Sequence, residues 1–251
     1  MARRNYLVCI PTYNEAENVK IIYQLIRILP ISNEIDLLFV DDNSPDGTGE
    51  ILERMRAEDP NFYVLHRKGK EGIGSAHQAG IKWAYDQGYE HLVTMDCDLT
   101  HSPDDIEKFI SQEAQNIVVI GSRYLQKDSL DTWNIFRKLL TRFGHFLTMV
   151  LLNMPYDASG AFRYYRIKSI PITIFEKVES KGYSFFFESL LVLSLNEIKI
   201  KEVPIKLPKR TYGNSKMSFK DAWTSLQFLI KMFRKKTFHK NTMIINKKIY
   251  E

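Results

Sequence analysis

His91-Leu92-Val93-Thr94-Met95-Asp96-Cys97-Asp98-Leu99-Thr100 is an apolar run that ends in two acids one residue apart. A strand stopping in Asp-x-Asp places carboxylates at the carboxyl edge of a sheet, where open α/β folds bind ligands. Asp96 and Asp98 are hard oxygen donors of the kind that suits Mg²⁺ or Mn²⁺. An isolated Asp-x-Asp is usually a solvated turn, so the surrounding sequence carries the argument.

Upstream, strand-like and helix-like segments alternate. Residues 6–10, 37–40, 62–66, 91–95 and 117–121 are short apolar runs that predict strands. Between them, Val19, Ile22, Leu25, Ile26 and Leu29 recur at helical spacing within 16–29, and residues 48–57 and 75–87 predict two more helices. Gly88 closes the segment 75–87 as a C′ residue. Ser102-Pro103-Asp104-Asp105 opens another helix, with Ser as N-cap, Pro at the first helical position and acids in the first turn. This alternation predicts an α/β fold with a mostly parallel sheet covered on both faces.

The pattern changes after residue 121. Residues 134–152 predict a long helix with Arg137, Lys138 and Arg142 embedded in it. Strands are expected at 162–166 and 199–204, an aromatic-rich helix at 183–195 and a polar loop at 209–216. Trp223, Leu226, Ile230 and Phe233 give 219–233 an amphipathic pattern. There is no internal repeat or low-complexity segment. The expected organisation is an α/β domain over 1–218, followed by an amphipathic, basic helix and tail over 219–251.

The chain has 251 residues, and 44 % are apolar, enough for a sizeable core and too many for a disordered chain. Its two cysteines, Cys9 and Cys97, sit in or beside predicted strands and suggest neither a disulfide framework nor a zinc site. A reducing compartment is expected. The first apolar stretch is too short for a signal peptide, and no run approaches a membrane span. Residues 1–198 carry 21 Lys and Arg against 27 Asp and Glu, whereas 199–251 carry 14 against 3. Such a basic end meets an anionic membrane or an acidic partner, or is simply a solvated tail. Without a recognition motif, a nucleic-acid partner is not expected.

Polar clusters follow three of the predicted strands: Pro11-Thr12-Tyr13-Asn14-Glu15, Asp41-Asp42-Asn43-Ser44-Pro45-Asp46-Gly47-Thr48 and Asp96-Cys97-Asp98-Leu99-Thr100. Asp41 and Asp42 either face a ligand or cap the turn into the next helix. Gly72-Ile73-Gly74 precedes a helix on the same edge, and it has neither the dinucleotide fingerprint nor the Lys-Ser/Thr of a P-loop. Dinucleotide hydride transfer and P-loop hydrolysis are therefore poor fits. A carboxylate-lined edge suits a ligand held by hydroxyl and amine groups, with a metal over its phosphates.

These segments, with Gly-Ser-Arg-Tyr at 121–124, occur in the order found in the inverting family-two glycosyltransferases of GT-A fold, which the chain resembles over roughly residues 5–220. Asp157-Ala158-Ser159-Gly160-Ala161-Phe162-Arg163 and Arg210-Thr211-Tyr212-Gly213-Asn214-Ser215-Lys216 narrow the resemblance to polyprenyl-phosphate sugar synthases of the dolichol-phosphate mannose type. The resemblance implies that Pro11, Tyr13, Glu15, Val40 and Asp42 hold the nucleoside of a nucleotide-sugar donor, and that Asp96 and Cys97 contact the donor. It implies Asp98 as principal ligand of Mg²⁺ or Mn²⁺, assisted by Asp96 and Thr100. Arg123, Arg137 and Thr141 match positions gripping the phosphate of a polyprenyl-phosphate acceptor. Arg210 and Lys216 match basic residues facing the donor diphosphate, and with Asp98 and Arg123 they complete the implied catalytic set.

The implied reaction transfers a hexose, mannose from GDP-mannose in the first instance, to the lipid phosphate. A UDP-sugar donor and a non-catalytic membrane-associated binding subunit are the alternatives. A phosphate nucleophile with a second pKa near ~6 is largely deprotonated at neutral pH and needs positioning, not a general base. Forked arginine donors suit that task. Cys97 stands where the resembled proteins usually have a small residue such as Ala, and His77 where they often have Tyr. Many of them carry C-terminal membrane spans, which this sequence does not show. Residues 219–233, followed by Arg234, Lys235, Lys236 and Lys240, fit a helix lying in a membrane interface; a small membrane partner subunit and an ordinary helix packed on the domain are the other options. The expected place is the cytoplasmic face of a membrane, held peripherally.

Overall fold

The computed structural model describes residues 4–133, 135–208 and 218–245. In chain order the elements are β1 (Tyr6–Thr12), α1 (Val19–Arg27), β2 (Ile35–Asp41), α2 (Thr48–Glu58), β3 (Phe62–His66), α3 (Ile73–Asp86), β4 (His91–Thr94) and α4 (Asp105–Ile110). They continue with β5 (Val118–Ser122), α5 (Ile135–Leu152), β6 (Arg163–Tyr165), α6 (Ile172–Glu176), α7 (Phe185–Leu195), β7 (Ile200–Pro204) and α8 (Phe219–Phe238). The strands form one sheet in the order β3-β2-β1-β4-β6-β5-β7. All neighbours pair in parallel except β6, which runs antiparallel to both β4 and β5.

The central strands are buried along their whole length, because helices cover both faces of a parallel sheet. Successive side chains of a strand point to opposite faces. Leu7, Cys9, Leu38 and Val40 accordingly pack with residues of α3 and α7 in one core layer. Val8, Ile10, Leu37 and Phe39 pack with α1, α2 and α4 in the other. Gly80 of α3 permits the first layer to close, since a Cβ there would stand 2.3 Å from Cys9 Sγ.

Each expected strand forms, and the sheet is mostly parallel as the alternation predicts. The first helix begins at Val19, later than expected, because Asn14 takes a left-handed φ of 53° and the chain turns before the helix starts. The short α6 and the direction of β6 have no signal in the sequence pattern. Helix α8 runs five residues beyond 233, and it opens on a Ser218–Asp221 capping box.

The outward faces of α5 and α8 are unusual. On α5, Phe136, Leu139, Phe143 and Phe146 are each more than half exposed. On α8, the stripe read from the sequence points outward, with Trp223 61 % and Phe233 39 % exposed, while Leu229 and Met232 enter the core instead. Lys236 Nζ donates to the Leu152 carbonyl at 2.7 Å, tying the last turn of α8 to the last turn of α5. Among the described residues no helix is long and apolar enough to cross a membrane.

Candidate active site

The chain enters the sheet at β1, builds outward to β2 and β3, then crosses back to place β4 on the other side of β1. This reversal leaves a crevice at the carboxyl ends of β1 and β4. A cleft of about 300 Å³ lies there. Ten of the residues expected at the site line it: Pro11, Tyr13, Glu15, Asp42, Asp96, Cys97, Asp98, Thr100, Arg123 and Arg137. Val40 does not. It pairs in register with Pro11, and its side chain is fully buried beside Gly80 in the layer under α3. Thr141 lies one turn beyond Arg137 on α5, away from the cleft lining, and its carbonyl accepts a bond from the Tyr124 hydroxyl at 3.2 Å. Arg210 and Lys216 lie outside the described residues.

The two acids after β2 have separate tasks. Asp41 caps its own turn, accepting from Ser44 Oγ at 2.5 Å. Asp42 lines the cleft and pairs with Arg67, whose Nη1 lies 2.5 Å from Asp42 Oδ1. Burial pushes the Asp42 carboxyl above its ordinary value, and Arg67 pulls against that shift without reversing it. Beside them the Lys70 ammonium sits 4.5 Å from the centre of the Tyr13 ring, and both line the cleft.

The Asp96–Thr100 turn is locked from within. Thr100 donates to Asp98 Oδ1 through its backbone N–H at 3.1 Å and its hydroxyl at 2.6 Å. Between them Leu99 takes a φ of 61°, an unfavourable conformation for a side chain of its kind. The Asp96 N–H donates to His101 Nδ1 at 2.9 Å. His101 is buried and also lines the cleft, so its ring fixes the loop beside the site. Asp98 is buried at 4 % exposure, whereas the Asp96 side chain is 34 % exposed.

Across the cleft, Arg123 follows β5 and is clasped by Asp157. Its Nε donates to Asp157 Oδ2 at 2.7 Å and its Nη2 to Oδ1 at 2.6 Å, a bidentate pair. The Arg123 backbone N–H also donates to Asp157 Oδ2 at 3.0 Å, and Ser159 Oγ accepts from Nη2. Burial alone would raise the Asp157 carboxyl, but the charge and hydrogen bonds of Arg123 outweigh it and hold the carboxyl below its ordinary value. The Arg137 guanidinium stacks 3.6 Å from the centre of the Trp133 ring, and both line the cleft. Tyr124 fastens α5 to this assembly, stacking on His145 with ring centres 3.9 Å apart.

The family model described as glycosyl transferase family 2 matches residues 7–171, about two-thirds of the chain. The chain belongs to this family. Within family 2 it is 36 % identical over 213 residues to an undecaprenyl-phosphate mannosyltransferase from Micrococcus luteus, covering 84 % of this chain and 87 % of that protein. It is 35 % identical over 215 residues to a polyprenol monophosphomannose synthase from Mycolicibacterium smegmatis, covering 84 % and 80 %. The fold is that of a glucosyl-3-phosphoglycerate synthase from Mycobacterium tuberculosis solved with Mn²⁺ and UDP (TM-score 0.64, 14 % identity, 93 % of this chain and 80 % of that one). It is also that of a mannosyltransferase from Pyrobaculum calidifontis solved with GDP-Man and Mn²⁺ (TM-score 0.58, 15 % identity, 96 % and 70 %). The GT-A fold and glycosyltransferase activity expected from the sequence therefore hold.

Among the described residues of this family 2 enzyme, no cluster of three or more His, Cys, Asp and Glu side chains is built to cage a metal. Two carboxylates, Asp96 and Asp98, line the cleft. That donor set fits a hard divalent ion bound by one or two carboxylates and completed by substrate phosphates and water. His77 is no ligand. It lies buried between Phe185 and Phe186, and burial, helped by Arg163 and His101, pushes its imidazole down to about 3. The whole Phe185-Phe186-Phe187 run is buried. Sequence reasoning missed Arg67, Lys70 and Trp133. Lys70 had a local signal in its place two residues before Gly72, whereas the partners of Arg67 and Trp133 emerge only on folding.

Proposed function

We propose that the protein transfers mannose from GDP-mannose to a polyprenyl phosphate with inversion at the anomeric carbon. The cleft's division of charge carries this reading: Asp42, Asp96 and Asp98 line the side where β2 and β4 end, and Arg123 and Arg137 line the side of β5 and α5. Relatives at 35–36 % identity named for undecaprenyl phosphate and polyprenol support it. Pro11, Tyr13, Glu15 and Asp42 hold the nucleoside, with Val40 contributing only backbone. Asp96 and Cys97 contact the donor, and Asp98 with Asp96 and Thr100 holds Mg²⁺ or Mn²⁺. Arg123 and Arg137 grip the acceptor phosphate, Thr141 stands one turn beyond Arg137 on α5 outside the cleft lining, and Arg210 and Lys216 face the diphosphate.

In this reading an oxygen of the acceptor phosphate attacks the anomeric carbon from the face opposite the leaving group. The bond from that carbon to the donor's β-phosphate oxygen breaks, and GDP departs with the electron pair. A divalent ion, when bound, neutralises charge on the departing diphosphate. Asp157 holds Arg123 in one geometry, so its guanidinium meets the acceptor phosphate without reorganising. No side chain needs to accept a proton, because the attacking phosphate is already ionised.

The lipid end calls for a membrane surface. The exposed aromatic and aliphatic side chains of α5 and α8, with the exposed Lys220 and Arg234 on α8, form a face that fits an anionic bilayer. Residues 1–218 then carry the donor site, and the region 219–251 opens with the membrane-facing helix α8 packed upon it, peripheral on the cytoplasmic leaflet.

The test offers purified protein labelled GDP-mannose, UDP-glucose or UDP-N-acetylglucosamine with a short polyprenyl phosphate and Mg²⁺ or Mn²⁺, with Asp98→Ala as control. Mannose entering the lipid phase, and lost in the control, is the expected result. Label from a UDP-sugar alone would replace the donor. Transfer that appears only with added membrane extract would point to a partner subunit.

A further inference from the structure

Among the described residues Arg67 touches neither the cleft nor any residue expected to react, yet it is built into the wall behind the nucleoside end. It is the first residue after β3, where its N–H donates to the Asp41 carbonyl at 2.8 Å and extends the β2–β3 pairing by one residue. Its side chain is only 11 % exposed. One arm of the fork, Nη1, holds Asp42 Oδ1 at 2.5 Å. The other arm, Nη2, donates to Ser75 Oγ at 2.7 Å and to Glu71 Oε2 at 3.2 Å. Ser75 Oγ in turn donates to the Gly72 carbonyl at 2.8 Å. Asp42 and Gly72 both line the cleft.

The two arms thus join two separate pieces of the cleft wall. Asp42 comes from the end of β2, and the Gly72 turn leads into α3. That turn has no slack of its own: Gly72 takes a φ of 105°, and a Cβ there would stand 2.5 Å from the Lys181 carbonyl. A lysine in place of Arg67 would carry the charge without the planar fork that spans both pieces.

We propose that Arg67 is a positioning residue for nucleotide recognition, fixing the Asp42 carboxylate and the Gly72 turn in a single geometry that receives the nucleoside half of the donor. The proposal rests on the donor-site reading above and deepens it. Arg67 acts through Asp42, so its effect belongs in nucleotide affinity and in the KM for the donor, with kcat little changed.

The titration of Asp42 supplies a readout that a merely structural role would not move. Burial raises this carboxyl first, Arg67 opposes the rise by charge and hydrogen bond, the Glu71 N–H also lowers it, and Asp41 raises it slightly. Removing Arg67 leaves burial less opposed, so the carboxyl protonates at a higher pH than in the wild type. A group that accepts hydrogen bonds from a nucleoside as a carboxylate loses that function as it protonates. The ratio of Kd in Arg67→Gln to Kd in the wild type is therefore larger at pH 5.5 than at pH 8.

The experiment measures GDP binding by calorimetry at both pH values for the wild type, Arg67→Gln, Asp42→Asn and the double variant. Arg67→Gln is expected to weaken GDP about tenfold at pH 8, the scale of a charged hydrogen bond. The expected loss is greater at pH 5.5, and Arg67→Gln is expected to add less than twofold in the Asp42→Asn background. Equal losses in both backgrounds, or a ratio independent of pH, would overturn the proposal. Arg67→Lys takes the place of Arg67→Gln in the same cycle if the latter does not fold. GDP binding needs no acceptor or transfer, so wild-type GDP binding without mannose transfer would count against the reaction and leave the Arg67 test intact.

Discussion

His77 shows what the interior does to a side chain whose sequence suggests several fates. Its ring stacks on Phe185 with centres 5.6 Å apart, and its Nε2 is buried with no hydrogen-bond partner among the described residues. The imidazole is neutral, its proton affinity lowered from 6.5 to about 3. The unfolded chain binds a proton there below about pH 6.5, and the folded chain does not until about pH 3, so stability falls as pH falls through that window. His77→Phe is expected to remove this dependence, gaining about 1.4 kcal/mol over the wild type between pH 7.5 and pH 5.5. Urea unfolding at the two pH values checks it, and parallel curves for the two proteins would refute the assignment. The same scale shows the limit of reading residues in isolation. Asp41 and Asp42 are identical in type and adjacent, and only the fold makes one a turn cap and the other part of the cleft wall.

Among the elements, the strands were the most legible. Their apolar runs bounded by Pro, Gly and Asp clusters are local signals, and all seven expected strands form. Helix faces were less so. On α8, Trp223, Leu226, Ile230 and Phe233 share a helical stripe, but Leu229 and Met232 lie on another apolar stripe, and it is the second that reaches the core. Spacing identifies a helix with apolar faces and is silent on which face meets the protein. The outward apolar residues of α5 and α8 then need another partner. Phe143→Glu together with Phe146→Glu is expected to abolish co-sedimentation with vesicles containing anionic lipid while leaving the urea midpoint within experimental error. Those side chains are each 56 % exposed, so little folding energy depends on them. Undiminished vesicle binding would move the membrane contact elsewhere.

At the scale of the whole molecule, α8 belongs to the core as well as to the surface. Leu229, Met232 and Met243 are buried with residues of α3 and α7. Lys231 and Lys235 both pair with Glu179, at 2.7 and 2.5 Å. Fully burying such an apolar side chain contributes about 1.5–3 kcal/mol. Cutting the chain after residue 218 is therefore expected to cost several kcal/mol, a large share of a typical domain's stability. The truncated chain should show a lowered urea midpoint and aggregate on size exclusion, and an unchanged midpoint would mean that 1–218 is self-sufficient.

The alternation of short apolar runs with helical periodicity was enough to establish an α/β fold, and the ordered clusters after three strands were enough to locate the carboxylates of the cleft. These signals lie within a few residues of the groups they describe, because strand period, helix period and caps are short-range properties of the chain. The antiparallel course of β6, the clasp of Asp157 on Arg123, the fork of Arg67 and the outward turn of the α8 stripe depend on partners distant in sequence. Which side chain meets which across such a separation is decided by the packing of the sheet and its two helical layers, and no local pattern encodes it.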